Sequence, residues 1–326
     1  MASEPVRVAL LGAGRMGQIH LEALQLAEGV ELSAVVEPYA PARENVAARG
    51  IRAYETLDEL LDSDRPDGVL VAAPSDGHAE IVERLAAAQL PTLCEKPVGV
   101  HVEDARRAAK AVDEAGIVFQ VGYWRRFVPE LRRLRERVAA GELGEICHLA
   151  CMQWDQDLPT EGFRSRSGGI AVDMGVHEFD QTRWLLGQEF QWLTATAAGP
   201  STESRPASDP DSATILSRLS GGSAVTISLG RHFPHLDSCW LEIWGTRDHE
   251  RVPFMWDQAG DRVFRESMVR QAAAFARTVR GEPQEGAGVA DAVAALGVAG
   301  WAAEALTDGA RTDGVRAPDP DPASVP

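Results

Sequence analysis

Val6-Arg7-Val8-Ala9-Leu10-Leu11-Gly12-Ala13-Gly14-Arg15-Met16-Gly17 is the stretch on which the reading of the fold turns. A six-residue apolar run of strand length enters three glycines spaced Gly-x-Gly-x-x-Gly, and the residues from Met16 to Leu26 then follow a helical period. In that context each glycine has a job: a tight turn at the first, close approach of a pyrophosphate at the second, and close helix–strand packing at the third. The N-terminus of the helix faces the phosphates. Gly12, Gly14 and Gly17, with Arg15 and Met16 between them, are therefore expected to hold a dinucleotide; a plain glycine-rich turn is the competing reading.

The same texture continues outward. Strands are expected at Glu31 to Val36, Gly68 to Ala73, Pro91 to Cys94 and Val118 to Val121, alternating with helices at Ala42 to Arg49, Ala79 to Ala88 and Val102 to Ala115. This is the pattern of an α/β, Rossmann-type doubly wound parallel sheet. After Gly122 the pattern changes. Phe127 to Ala140 and Asp173 to Leu186 read as helices, and Glu145 to Gln156 as a strand with one wet face. Trp192 to Ala198, Ala213 to Leu219, Ser223 to Leu229 and Cys239 to Trp244 read as antiparallel strands, closed by helices at Glu266 to Val279 and Val289 to Leu306. The expectation is a dinucleotide-binding domain over 1–121, an α+β domain with a large open, mostly antiparallel sheet over 122–316, and a flexible Pro/Asp tail over 317–326. Gly199 to Asp211 reads as a loop.

Composition narrows the function. A chain of 326 residues, 44% hydrophobic, can bury two cores without disulfides or metal. Its formal charge of −17 opposes phosphate backbones and anionic membranes, so no nucleic-acid or membrane partner is expected. The N-terminus lacks the cationic and apolar segments of a signal, no stretch is judged to reach membrane-spanning length, and the four cysteines form no Cys-x-x-Cys pair. Cytoplasm is the default expectation. Cys147 and Cys151 are expected to be buried thiols rather than half a zinc site.

Candidate chemistry follows from position. Glu37 stands twenty residues beyond Gly17 at the end of the second strand, where a carboxylate accepts hydrogen bonds from ribose hydroxyls and repels a 2′-phosphate, so NAD is expected in preference to NADP. Arg43, on the next helix, can reach a phosphate and leaves that choice open. Glu95-Lys96-Pro97 follows the fourth apolar strand, and ligands of wound sheets bind at the carboxyl ends of strands. A surface salt bridge of Glu95 with Lys96 is the bland alternative. Asp173, His177 and Asp180, at spacings of four and three, share one helix face, where a carboxylate can set an imidazole tautomer or bind a hydroxyl. No third ligand completes a metal pattern there, and no metal is expected.

At these residues the chain resembles the glucose-fructose oxidoreductase / inositol dehydrogenase (GFO/IDH/MocA) family, with inositol 2-dehydrogenases the closest-looking subgroup. The matching pieces are Gly12 to Gly17 with His20, Ala73-Pro74-Ser75-Asp76-Gly77-His78, Glu95-Lys96-Pro97, Gly122 to Phe127, and Gly168 to Asp180. The resemblance implies Lys96, Asp173 and His177 as the catalytic group. It implies cofactor contacts from Pro74, Ser75, His78, Glu95 and Lys96 beside the glycines and Glu37, and an open sheet that carries substrate wall and oligomer contacts in a homodimer or homotetramer. Tyr123, Arg126, Trp154, Asp155, Gln156 and Arg164, with Lys96, Asp173 and His177, are candidates for substrate hydroxyls. The expected activity is NAD-dependent oxidation of a secondary alcohol of a cyclic polyol or sugar. Oxidation of a sugar or glycoside at C1 or C3, NAD-dependent glycoside cleavage, and a non-catalytic NAD(H)-binding regulator are the alternatives. Two departures bear on substrate choice: the segment between Trp244 and Glu266 is short, and Trp124 stands where the subgroup often has a small polar residue.

Overall fold

The computed structural model describes residues 4–199, 209–307 and the backbone of 315–316. The interior of the expected 199–211 loop and the expected tail at 317–326 lie outside the described residues. The chain divides into two compact units, one of Met1–Val128 with Arg262–Leu296, the other of Pro129–Asp261 with Gly297–Pro326.

In the first unit the elements run β1 (Val6–Leu11), α1 (Arg15–Leu26), β2 (Val30–Val36), α2 (Ala40–Ala48), β3 (Ala53–Tyr54), α3 (Leu57–Ser63), β4 (Gly68–Val71), α4 (His78–Ala87), β5 (Thr92–Cys94), α5 (Val102–Ala115) and β6 (Phe119–Val121). The strands form a six-stranded parallel sheet in the order β3-β2-β1-β4-β5-β6. Order reverses beside β1, so the carboxyl ends of β1 and β4 flank the crevice in which such sheets bind ligands. β4 and β5 are buried along their whole length, which is why they read as unbroken apolar runs and not as alternations. β3 and α3 were not expected from the sequence: a two-residue strand has no period to read, and α3 is rich in acidic residues.

In the second unit come α6 (Pro129–Ala139), β7 (Ile146–Trp154), α7 (Glu161–Arg164), a π-helical turn at Ala171–Gly175 leading into α8 (Val176–Leu186), then β8 (Phe190–Ala198), β9 (Ser212–Leu219), β10 (Ala224–Gly230), β11 (Ser238–Gly245) and β12 (His249–Met255). α9 (Asp257–Val279) and α10 (Val289–Thr307) follow, and β13 (Val315–Arg316) pairs with β8. The seven-stranded sheet has the order β12-β11-β7-β10-β9-β8-β13. It is mostly antiparallel, as expected, with β7 and β10 paired in parallel at its centre. β12, also unexpected, is an edge strand carrying Pro253 and alternating charges, devices that blunt an edge and hide its strand pattern.

The expected division at 121/122 is corrected: the first unit runs on to Val128, and the chain returns to it over Arg262–Leu296, which carries most of α9 and the start of α10. Ala272, Ala273, Phe275 and Ala276 pack in one core with Val6, Leu10, Leu21, Leu24 and Leu70. The Phe275 ring lies so close to Gly68 that a Cβ there would come within 3.0 Å of it. Val121 N–H also bonds to Ala287 O at 2.9 Å. The expectation that no stretch reaches membrane-spanning length is corrected too. α10 is long and apolar enough to cross a membrane by length and composition, because alanine, valine, leucine and glycine fill it almost throughout. Core helices meet the same test, and Ala292, Ala295, Leu296, Ala299 and Ala302 are buried.

Phe275→Ala is expected to cost the first unit about 3–5 kcal/mol, seen as a lower urea midpoint for loss of that unit's structure; an unchanged midpoint would detach α9 from its core.

Candidate active site

Each glycine of the first turn is required by something the backbone does. Gly12 has φ +95°, and a Cβ there would lie 2.6 Å from Ala72 O. A Cβ at Gly17 would lie 2.1 Å from Gly12 O, so α1 can pack onto the turn only without one. Gly14, at the N-cap of α1, has no side-chain cap, is exposed, and would place a Cβ in open space. Adjacent helix N–H groups and a bare backbone facing open space are what a pyrophosphate needs, so these residues fit a dinucleotide. Arg15 is exposed and Met16 half-buried at the same helix end.

Glu37 is buried and already held. Its Oε2 accepts from Ala13 N–H at 2.7 Å and its Oε1 from Tyr39 N–H at 2.9 Å. The carboxylate thus ties the end of β2 to the glycine turn. Arg43 donates to the carbonyls of Glu37 and Pro38 at 2.7 and 3.0 Å and to Glu55 Oε2 at 2.9 Å. Its guanidinium is engaged in holding the strand end, which removes the argument for a 2′-phosphate reader.

Lys96 is half-buried just past β5, and its peptide bond to Pro97 is cis. The residues around it are clamped. Glu95 Oε2 accepts from Lys96 N–H at 3.0 Å, and Glu95 Oε1 lies 2.6 Å from His20 Nε2. His20 is 1% exposed and Glu95 6%. A Cβ at Gly122 would come within 2.9 Å of Glu95 Oε1, so the glycine makes room for this pair. Burial raises the Glu95 pKa, but the hydrogen bond and charge of His20, then the charge and amide of Lys96, outweigh it and hold the carboxyl below its ordinary value. Glu95 is therefore a support for Lys96 and not a surface salt-bridge partner.

His78 takes a similar part. Its Nδ1 lies 2.7 Å from Pro97 O and its Nε2 2.7 Å from Ala73 O, so the ring links the ends of β4 and β5. Burial lowers its pKa, against the two carbonyls and Glu95, which favour the proton. With both nitrogens committed to backbone, the cofactor contact expected of His78 becomes indirect. Pro74 is exposed and Ser75 half-buried on the turn between those strands.

The other expected residues of this unit are mostly occupied. Tyr123 is 2% exposed. Trp124 packs edge-on against Phe264, with centroids 5.0 Å apart, so it fills core. Arg126 is buried and pairs with Asp291 at 3.0 Å. That ion pair holds the guanidinium by one of its nitrogens.

In the second unit, Gly168 and Gly169 both have positive φ, +79° and +84°, and they turn the chain into the helix that carries Asp173 and His177. Asp173 N–H bonds back to Gly169 O at 2.8 Å. The expected helix starts two residues early and begins as a π turn, a widening that recurs at functional sites and shifts Asp173 from the α-helical phase read in the sequence. His177 is 7% exposed and Asp180 1%. Asp173 Oδ2 lies 3.3 Å from Arg231 Nη2, a partner the sequence reading missed because a single arginine after a strand carries no pattern.

Arg164 is buried, with Nε donating to Asp209 Oδ2 at 2.5 Å and Nη2 to Asp209 O at 2.7 Å, so it holds the segment at Asp209. Trp154 donates to Ser228 Oγ at 3.2 Å and its ring covers Gly230, where a Cβ would lie 2.1 Å from it. Asp155 bonds through its backbone to Gly230 and Phe233, and Gln156 N–H bonds to Asp237 Oδ1 at 2.7 Å. Cys151 is buried as expected, but the expectation for Cys147 is corrected: it is exposed, because the first residues of β7 are not covered. Among the described residues no three His, Cys, Asp or Glu side chains group as for a metal.

Comparison with known proteins agrees with this geometry. Residues 6–123 match the model of an oxidoreductase family with an NAD-binding Rossmann fold, and residues 131–249 match the GFO/IDH/MocA C-terminal domain. The rhizopine catabolism protein MocA of Rhizobium meliloti is 44% identical over 92% of this chain and 95% of its own. An inositol 2-dehydrogenase of Rhizobium meliloti strain 1021 is 32% identical over 74% of each. The crystal structure of a putative myo-inositol dehydrogenase from Sinorhizobium meliloti 1021 superposes with a TM-score of 0.86 at 28% identity, covering 93% of this chain and 98% of that one. A dinucleotide turn, a clamped strand-end lysine and an Asp–His helix thus occur in a chain that belongs to the GFO/IDH/MocA family, as an NAD-dependent dehydrogenase acting on CH–OH groups.

Proposed function

We propose that this chain oxidises a secondary alcohol of an inositol-type cyclic polyol to the ketone, with Lys96, Asp173 and His177 as the catalytic group. The observation that carries the reading is the clamp on Lys96: buried Glu95, itself paired with His20, holds the Lys96 amide, and buried His78 ties the carbonyl of Pro97 to that of Ala73. NAD, held by the Gly12–Gly17 turn and Glu37, supplies the hydride acceptor. His177 takes the proton of the alcohol as general base, a role suited to imidazole at neutral pH. Asp173 orients that imidazole or binds a neighbouring hydroxyl. Lys96, as an ammonium, stabilises the charge that develops on the alcohol oxygen, an effect worth about 2.7–4 kcal/mol for a well-placed donor. Tyr123 and Asp155 remain candidates for other hydroxyls of the ring.

The 44%-identical relative is named for rhizopine catabolism, which leaves the particular alcohol to be determined, and a sugar or glycoside substrate is the second reading. A panel of inositols, rhizopine, aldoses and glycosides, assayed for NADH and NADPH formation, ranks these; no turnover on any member would leave the regulator reading in place. We also assign self-association with a second copy to the open face of the second sheet. Trp192, Leu216, Trp240 and Trp244 share that face by strand register, and Leu216 is 43% exposed. Arg218 on one flank and Glu242 on the other give a twofold-related copy opposite charges to meet.

Lys96→Ala and His177→Ala are each expected to lower turnover at least about a hundredfold while NAD still binds by fluorescence titration; near-normal turnover in either removes it from the mechanism. Glu37→Ala is expected to weaken NAD far more than NADP, and equal losses would contradict its role at the ribose. Leu216→Glu is expected to shift sedimentation toward the monomer; a monomeric parent protein, or an unshifted variant, would place the contact elsewhere.

A further inference from the structure

The second unit buries more charge than its fold has use for. The Arg231 side chain is wholly buried, Arg164 is 2% exposed, and Asp211 is 1% exposed. Arg231 Nη2 stands 3.3 Å from Asp173 Oδ2 and 3.3 Å from Asp209 Oδ1, between the two carboxylates. Asp209 is held in turn by Arg164 through Nε and Nη2, and Arg164 Nη1 lies 3.6 Å from Asp211 Oδ1. Arg231 N–H bonds to Asp211 O at 2.9 Å, and His232 Nε2 lies 3.9 Å from Asp211 Oδ2. The chain of contacts therefore runs from α7, through the 209–211 segment and the residue after β10, to the helix that bears Asp173 and His177.

A buried guanidinium is costly unless its partners repay its lost hydration, and breaking such a pair leaves an uncompensated charge. Here the repayment is incomplete for packing purposes: Arg231 Nε and Nη1 have no hydrogen-bond partner among the described residues. A leucine or methionine would fill the same volume without that cost. What an apolar side chain cannot do is supply a fixed positive charge beside Asp173, whose side chain is 15% exposed.

We propose that Arg231 is a positioning residue for the dehydrogenase reaction: it holds the Asp173 carboxylate in one orientation, and Asp209, itself fixed by Arg164, holds Arg231. The inference rests on the reading that Asp173 belongs to the catalytic group. Asp173 is then a constant acceptor for the imidazole of His177 or for a substrate hydroxyl. Arg231 never touches the substrate; its effect passes through Asp173.

The test is a double-mutant cycle on the full-length protein with the panel member that is oxidised fastest. Arg231→Met is expected to lower kcat roughly tenfold or more, with KM and the NAD dissociation constant within about twofold of the parent values. Arg231→Lys, which keeps the charge, should restore most of the turnover. On an Asp173→Asn background Arg231→Met should add nothing. If Asp173→Asn alone leaves turnover intact, the catalytic reading fails. If Asp173→Asn is impaired while Arg231→Met turns over normally, or the two losses multiply independently, the positioning role is overturned and the catalytic reading survives. Should Arg231→Met not fold, Asp209→Asn carries the same cycle, and an additive result there overturns the proposal.

Discussion

The carbonyl oxygen of Gly12 lies where any side chain at residue 17 would have to be, and the geometry of the first unit follows from that contact. With α1 seated on the turn, its free N–H groups point out beyond β1, and Ala13 N–H is left for Glu37 to accept. The same carboxylate that suits a ribose therefore also closes the turn onto β2. Arg43 continues the arrangement by gripping the carbonyls just past that strand. Binding residues and structural residues are here the same residues, so the dinucleotide turn is shaped before any ligand arrives.

Lys96 and Asp173 are restrained in different ways. Around Lys96 the described restraint is on the backbone: Glu95 holds its amide and His78 holds the carbonyl of Pro97. Around Asp173 the restraint is on the charged group, through Arg231 and the aspartates behind it. The contrast fits the chemistry proposed for each. A lysine needs reach and a stable charge, whereas a carboxylate that orients an imidazole needs direction.

Much of this was legible in the sequence because it is governed by local rules. β1 and α5 fall at the expected residues, and Gly12 and Gly17 make the tight turn and the close packing that their spacing implies. The features that were not legible depend on distant neighbours. Nothing near β7 shows that β10 lies beside it in parallel, and the helical period at 266–279 does not reveal that its apolar side belongs to the first core. The partners of arginines are the least legible. Arg126 and Arg164, candidates for substrate contacts, are each paired with an aspartate far along the chain, Asp291 and Asp209. An arginine's reach says that it will find a partner and not which one. Arg231 and His20 show the converse, since their importance lies wholly in what the fold places beside them.

The return of α9 into the first core sets the order in which the protein can be built. When the ribosome has finished residue 128, every strand of the parallel sheet has been synthesised, yet Phe275, which lies against Gly68, is still some 150 residues from existing. The nascent nucleotide-binding half must therefore wait, with an apolar face exposed, while the Pro129–Asp261 part of the second unit is translated. A gene fragment cut after the last Rossmann strand would encode a sheet without its final covering helix.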